Sequence, residues 1–412
     1  MPMLLKISIR DIFKNSRRSM ITILAIALGF AAINLFQGYV NNTYARLINA
    51  AIQGEGLGHL TVYKKGFTTE GKLQPEKYMF SGKEIESISG LVRKMPEVKL
   101  ITPRLDISGI ISNGKSSTIF IAQGLVPEDD LIIRGDIVKL SPVEGELLSG
   151  NESSGALISS GLAKMLNLNL GDNAVLLSNT LDGMANALDI KIRGIFNTGR
   201  SATNDKVLLL SYRHAQDLYD TMSADRLVLL LNSERDTNPV MAHLKASLKE
   251  AGYEVEIKLW YELSDFYRQV KSMFDMIFTF IFSIVFVIVI MSVINTMSMS
   301  VMERTREIGT MRALGFKKNS IKALFSIEGA LLGLWGSVLG LVFFAAFYSI
   351  IQAAHVTYIP PAASIPVALE IDVLPLSMIK NLSFMAFLSA AAAFFPARKA
   401  SRMRIIDALG HV

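Results

Sequence analysis

Cysteine is absent from the 412-residue chain, which removes disulfides, thiolate metal sites, a cysteine nucleophile and cysteine-linked lipid at once. Charge is scarce as well: Asp, Glu, Lys and Arg make up 19 % of the residues, below the roughly 25 % usual in soluble domains. The few histidines, His59, His214, His243, His355 and His411, are scattered, and no two have metal-ligand spacing. No HExxH, GxSxG or EF-hand pattern occurs, so no such motif points to an enzyme. The net charge of +6 does not mark a nucleic-acid binder, because Lys and Arg gather beside apolar blocks instead of interleaving with aromatics.

Apolar residues are in excess. They form half of the chain, and the mean hydropathy is +0.37. A hydrocarbon core of roughly 30 Å takes about 20 apolar residues of helix, and four blocks meet that length: 21–40, 272–302, 323–352 and 374–396. The first follows Lys6, Arg10, Lys14, Arg17 and Arg18, as a secretory signal would. Its length and its polar exit through Gln37, Tyr39, Asn41 and Asn42 mark an anchor instead. In the third block Glu328 is expected at the lipid–water interface, and in the fourth Lys380 is expected to snorkel. Gly329, Gly333, Gly336 and Gly340 make two GxxxG steps in the third block. That spacing lets helix backbones approach closely in lipid, within one subunit or between two.

Three segments are rich in Lys and Arg: an amphipathic arm at 1–20, the connection 303–322 and the tail 397–412, whereas 353–373 contains neither residue. The basic segments are therefore expected in the cytoplasm, with 41–271 and 353–373 on the other side. Within 41–271 the texture changes to short β-type runs at 59–63, 156–160, 174–177, 190–196, 207–210 and 227–231, then a helix at 241–251 and a strand at 253–259, with a hairpin at Asn113-Gly114. The fold class read from these patterns is a membrane protein of four transmembrane α-helices with a large α+β extracytoplasmic domain between the first two. The domain is large enough to bury its own core, in one lobe or two.

The sharpest segment runs from Glu303 to Phe316 and reads ERTREIGTMRALGF. As a helix it places Ile308, Met311 and Leu314 along one side, and Gly315 stops it. A short helix of this kind can plug into a groove on another protein. A plain basic anchor is the competing reading, but two acids and ordered glycines exceed what anchoring requires.

The run MERTREIGTMRALGFKKNSI at 302–321, followed by EGALLGLWGSVLG at 328–340, resembles the core of the FtsX-like, MacB-type permease family of ABC transporters. The ending FPARKASRMRIIDAL at 395–409 is similar to that family's C-terminal signature. ISSGLAKMLNLNLGDNAVLL at 158–177 and GIFNTG at 194–199 resemble its periplasmic core, and GIFNTG with the approach at 260–271 leans toward the lipoprotein-releasing LolC and LolE branch. The resemblance implies a permease working beside a second copy or a paralogue, each docked on a cytoplasmic ATPase through the loop after the second span. Glu303, Arg304, Arg306, Glu307, Gly309, Arg312, Leu314 and Gly315 then form the ATPase-coupling element, and the four glycines serve helix packing. ATP and Mg belong to the partner ATPase dimer; this chain is expected to bind no cofactor and to be non-catalytic.

The implied work is mechanotransmission to the outer domain, extracting or exporting lipoprotein or another hydrophobic cargo. An efflux permease and a regulator of a periplasmic cell-wall hydrolase are the alternatives. The implied setting is a bacterial inner membrane, with both termini cytoplasmic and a periplasmic carrier, adaptor or lipoprotein as further partner.

Overall fold

The computed structural model describes residues 2–14, 16–71, 74–135, 144–149, 154–360 and 366–409; His411 lies outside them. The chain divides into two compact units, one of residues 1–44, 271–357 and 368–412, the other of 45–270 and 358–367. It begins with helix α1 (Pro2–Lys14) and the long α2 (Ser16–Asn49), which passes directly into a π-helical turn, Ala50–Gly54. The helix overruns the predicted 21–40 block because no Gly or Pro occurs between Gly38 and Gly54 to stop it.

The second unit holds strands β1 (Leu60–Lys64), β2 (Val98–Ser112), β3 (Ser117–Leu125), β4 (Glu144–Gly145), β5 (Gly155–Ser159), β6 (Asn173–Asn179), β7 (Ala185–Phe196), β8 (Val207–Ser211), β9 (Arg226–Leu231) and β10 (Val255–Leu259). Its main helices are α3 (Gly82–Val92), α4 (Pro127–Arg134), α5 (Ser160–Leu166), α6 (Tyr212–Tyr219) and α7 (Thr237–Glu250). The strands form one mixed sheet in the order β10-β1-β9-β2-β3-β8-β5-β7-β4, with β6 paired to β2 and β7. The two largest of the unit's described hydrophobic clusters share it. One gathers Ile107, Phe120, Ile158, Ile190 and Leu208 with α5 and α6; the other gathers Leu60, Ile88, Leu229 and Leu244 with α3 and α7. Strand β2 joins them, pairing with β9 through Val98–Arg104 and with β3 through Arg104–Ser112. Pro103 and Gly109 conceal this strand in the sequence, since Pro ordinarily demotes a central strand.

At the handover point the fully buried Arg104 bonds Asp130 at 2.8 Å, and Asp130 also accepts from Arg134 at 2.6 Å. Beside it Arg226 grips Asp106 bidentately at 2.7 and 2.8 Å and donates to Asp225 at 2.9 Å. Oδ2 of Asp225 also accepts the Asp106 N–H at 2.9 Å, whereas its Oδ1 is buried without a hydrogen-bond partner among the described residues. Burial pushes the Asp225 carboxyl up to about 7, against the pull of Arg226.

The remaining helices are α8 (Asp265–Glu303), α9 (Thr305–Ala313), α10 (Lys318–Ala354), α11 (Pro375–Ser401) and α12 (Ile405–Leu409). With α2, helices α8, α10 and α11 are the four described helices long and apolar enough to cross a membrane. Their core includes Ile26, Phe30, Val289, Val293, Phe325, Leu332 and Ala393. The two GxxxG steps face different neighbours. A Cβ at Gly329 or Gly333 would sit 2.7–2.8 Å from backbone atoms of Ser389, Met385 or Ala386 in α11, and one at Gly340 would sit 2.9 Å from the Ala27 carbonyl of α2. At Gly336 it would meet Ile26 of the same helix at 2.6 Å. Polar side chains add bonds where lipid offers none: Asn381 donates to Asn34 Oδ1 at 2.9 Å and to Gln37 Oε1 at 3.1 Å, and the Thr22 and Thr296 hydroxyls lie 2.6 Å apart. Helix α11 does not stop at Pro396, where the sequence places its end; the ring forfeits one backbone bond, but Ala393, Ala397 and Ala400 are fully buried on either side and carry the helix on.

Two outcomes follow. Gly333→Ala and Gly340→Ala should each lower thermal stability of the purified chain by overpacking worth about 1–3 kcal/mol, whereas Gly90→Ala, in open space on α3, should be neutral or gain up to about 1 kcal/mol. For Asp225 the folded carboxyl lies above the ordinary 3.8, so its stabilising contribution is present in acid and is lost as pH rises through about 7. Melting temperature measured between pH 5 and 8 should therefore fall less steeply in Asp225→Asn than in the parent chain.

Candidate coupling site

The connection between α8 and α10 is a corner and a nine-residue helix. The corner is Arg304, whose backbone leaves the helical region at φ −106°, ψ 16°, so that α9 starts afresh at Thr305. Its end is a left-handed stop: Gly315 adopts φ +97°, its N–H bonds the Arg312 carbonyl at 3.1 Å, and the Phe316 N–H bonds the Met311 carbonyl at 3.1 Å. This is the paired bonding of a Schellman cap, which needs glycine at the left-handed position.

The Arg304 side chain turns inward and is only 8 % exposed. Nη2 lies 2.7 Å from Asp11 Oδ2 of α1, Nη1 lies 3.5 Å from Glu328 of α10, and Nε donates to Glu307 of α9 at 2.9 Å. The guanidinium also lies over the Phe325 ring at 5.6 Å. Asp11 and Glu328 are almost wholly buried, at 7 % and 4 % side-chain exposure. Glu328 is therefore not solvated as expected from the sequence: its face of α10 turns into the bundle, where Arg304 meets it. Around this centre Lys14 approaches Glu307 at 3.6 Å, and Arg18 pairs with Glu303. The Arg304 guanidinium, helped by Lys14, holds the half-exposed Glu307 carboxyl below the usual carboxylate range.

The expected apolar stripe divides. Ile308 is buried and Met311 packs beside it in the bundle core, but Leu314 is 77 % exposed. Successive steps of three in a 3.6-residue helix drift around the barrel, and Leu314 stands at the cap, already past the inward face. The face left open carries Arg306, Thr310 and Leu314, at four-residue spacing. Gly309 is buried on the inner side. Arg312 reaches the other way, donating from Nη1 to the Ser401 and Met403 carbonyls at 2.9 and 3.0 Å, which ties α9 to the chain leading into α12.

Of the eight predicted coupling residues, Glu303, Arg304 and Glu307 thus join one charged knot, Arg306 and Leu314 face outward, and Gly309, Arg312 and Gly315 shape the helix and its surroundings. Asp11, Lys14, Arg18 and Glu328 were not predicted to take part. The available signal was the lone acid in an otherwise basic arm and the lone acid at the head of an apolar block.

One stretch elsewhere, GIISNGKS at 109–116, satisfies the letters of the GxxxxGK[ST] phosphate-loop pattern. That loop requires a strand running through glycines into a helix. Here the residues end β2, turn at Asn113 and Gly114, and lead into β3. Gly109 serves the close approach of β6, since a Cβ there would lie 2.1 Å from the Leu177 carbonyl. Among the described residues, no group of three His, Cys, Asp or Glu is placed to hold a metal ion.

Because Asp11 and Glu328 would be left as buried, unpaired carboxylates, Arg304→Met should destabilise the chain by about 3–5 kcal/mol. Thermal unfolding in detergent should then show partial recovery when Asp11→Asn and Glu328→Gln are added; Arg304→Lys, which keeps the charge without the fork, should fall between.

Comparison with known proteins adds two family matches. Residues 19–247 match the MacB-like periplasmic core domain and residues 279–405 match the FtsX-like permease C-terminal region. Among curated relatives, the uncharacterized ABC transporter permease MJ1507 of Methanocaldococcus jannaschii is 34 % identical over 119 residues, 28 % of either chain. The macrolide export ATP-binding/permease protein MacB of Neisseria meningitidis is 33 % identical over 117 residues, 28 % of this chain and 16 % of that protein. These matches span less than a third of each relative's length. Among solved structures, the periplasmic region of MacB from Actinobacillus actinomycetemcomitans aligns with 52 % of this chain and 92 % of its own at 14 % identity and a TM-score of 0.38.

Proposed function

The chain belongs to the permeases that join a MacB-like periplasmic core domain to an FtsX-like C-terminal region, and from that premise we propose that it is the membrane subunit of an ABC transporter driven by a separate cytoplasmic ATPase. The observation that carries the proposal is α9: a short capped helix held on its inner side by Arg304 and Ile308 and open on its outer side at Arg306, Thr310 and Leu314. A helix fixed from behind and free in front suits the transfer of force from a docked partner. Glu303, Arg304, Arg306, Glu307, Gly309, Arg312, Leu314 and Gly315 make up this coupling element in the proposal, with ATP and Mg held by the ATPase dimer.

In this reading the termini and α9 lie in the cytoplasm of a bacterial inner membrane, the ten-stranded domain lies in the periplasm, and the permease works beside a second copy or a paralogue. The cargo is lipoprotein or another amphiphile handled at the outer domain. Two observations support that choice. The charged side chains of the helical core collect at the α8–α9 corner and do not continue along α10, so no chain of charged residues runs through the described bundle. The outer face of the domain sheet exposes Ile110, Ile119, Ile121 and Leu177, of which Ile110 stands directly opposite both Ile119 and Leu177.

The decisive experiment replaces the open face of α9 and leaves the knot intact. Arg306→Glu combined with Leu314→Asp should reduce co-purification of the ATPase at least about tenfold, the scale of a two-residue hot spot, while thermal stability of the permease stays within about 0.5 kcal/mol of the parent. Unchanged association and turnover would exclude α9 as the coupling element. Material recovered with the intact complex then separates the cargo readings: acylated protein fits release, an adaptor with an outer-membrane channel fits efflux, and a soluble hydrolase fits regulation.

A further inference from the structure

The main segment of the second unit, residues 45–270, opens through the π turn and closes at the chain preceding α8, and one carboxylate links the two. Oε1 of Glu55, the residue after the turn, pairs with Arg200 and accepts the Ser264 hydroxyl at 3.0 Å, one residue before α8 begins. The Arg200 guanidinium also lies over the Phe266 ring, 4.6 Å from its centroid. Both partners of the ion pair are about three-quarters buried, with 24 % and 26 % side-chain exposure, enough to raise their interaction above that of a free surface pair. Burial raises the Glu55 carboxyl above its usual range even with Arg200 beside it.

Arg200 is itself held firmly. It follows the GIFNTG segment, in which Thr198 Oγ1 donates to the Arg200 carbonyl at 2.9 Å and Asn197 Oδ1 accepts the Gly199 N–H at 2.9 Å. The same loop is fastened to the head of α5: Asn204 Nδ2 donates to Ser160 Oγ at 3.0 Å, and its carbonyl accepts the Leu162 N–H at 3.0 Å. A second tie reaches the turn from α4, where Arg134 Nη1 donates to the Gly54 carbonyl at 2.9 Å. Apolar contacts close the junction, with Ala51 and Ile52 of the π turn packed with Trp260 and Ile133.

We propose that Glu55 and Arg200 form a clasp that locks the chain after the π turn to the chain before α8 and to the GIFNTG loop, so that displacement of α8 enters the domain as one rigid movement. Glu55 and Arg200 are positioning residues: they touch no cargo and no nucleotide. Without the pair, the chain near Ser264 can shift relative to the loop, and work delivered through α8 is dissipated there. The inference rests on the reading of the chain as a mechanically driven permease.

The absence of cysteine allows a single spin label at Lys115→Cys, on the exposed hairpin of the domain. In the full permease–ATPase complex the distance between labels on paired copies is measured with and without a nonhydrolysable ATP analogue, together with ATPase turnover. Glu55→Gln and Arg200→Gln should each reduce the nucleotide-dependent shift about fivefold, the scale of a modest coupling energy, while turnover stays near that of the parent. The exchanged pair Glu55→Arg with Arg200→Glu should recover most of the shift, and hydrogen exchange over 197–206 reports whether each variant is folded. If folded single variants retain the full shift, the clasp is excluded. A parent complex that shows no shift at all overturns the mechanical reading, and the clasp falls with it.

Discussion

A guanidinium facing three carboxylates, two of them buried, is the constraint on which the membrane-spanning unit depends. Removing charges from water costs several kcal/mol per ion even after relaxation, and only close, multiple pairing offsets it. Arg304 supplies that pairing to Asp11 of α1, Glu328 of α10 and Glu307 of α9 simultaneously. A planar fork can do this where an ammonium cannot. Because the two buried carboxylates, Asp11 and Glu328, depend on the same cation, the helices that carry them cannot move apart independently without leaving charge unpaired. The corner between α8 and α9 is therefore a junction of four helices, and α9 is attached to the bundle by electrostatics as well as by Ile308.

The glycines set a complementary limit. In lipid there is no hydrophobic force between helices, so close packing has to come from shape. Helix α10 presents Gly329 and Gly333 to α11, and Gly340 with Gly336 to α2; it is gripped on two faces and has little freedom to rotate between them. Glu328 immediately precedes the first of these glycines, which places the ionic knot and the tightest backbone contact on adjacent residues. Sliding of α10 would disturb both, so the arrangement favours motion of the helices together as one body over sliding of one helix against its neighbours.

How far the sequence revealed this differs between elements. The four apolar blocks, the domain between the first two and the Gly315 stop were legible, because length, charge and glycine are local signals. The longest strand was not: Pro103 and Gly109 break the β pattern of residues 98–112, and only pairing with β9, β3 and β6 makes them tolerable. The short helix α9 was visible as a helix, but its orientation differs at Leu314, since the periodicity of a nine-residue segment does not state which side the bundle claims. Asp11 and Glu328 lie 293 and 24 residues from Arg304 in separate basic or apolar surroundings, and nothing local announces that they meet. The lean toward the lipoprotein-releasing branch rests partly on GIFNTG, a segment whose visible task here is to build the turn that presents Arg200.

The two arginine centres also share a helix. Arg304 directly follows the last residue of α8, and the Glu55–Arg200 pair meets Ser264 and Phe266 at its first turn. Over 39 residues an α-helix spans about 58 Å, and α8 contains neither Gly nor Pro, the usual causes of a kink. A continuous helix transmits axial displacement poorly if either end is free to fray. In the proposed coupling, pinning both ends with charge-assisted contacts, one among helices and the other among the domain's loops, removes that loss. Buried charge at Arg104 and Arg226 belongs to the domain sheet; along α8 the paired charges lie where the helix begins and where it ends.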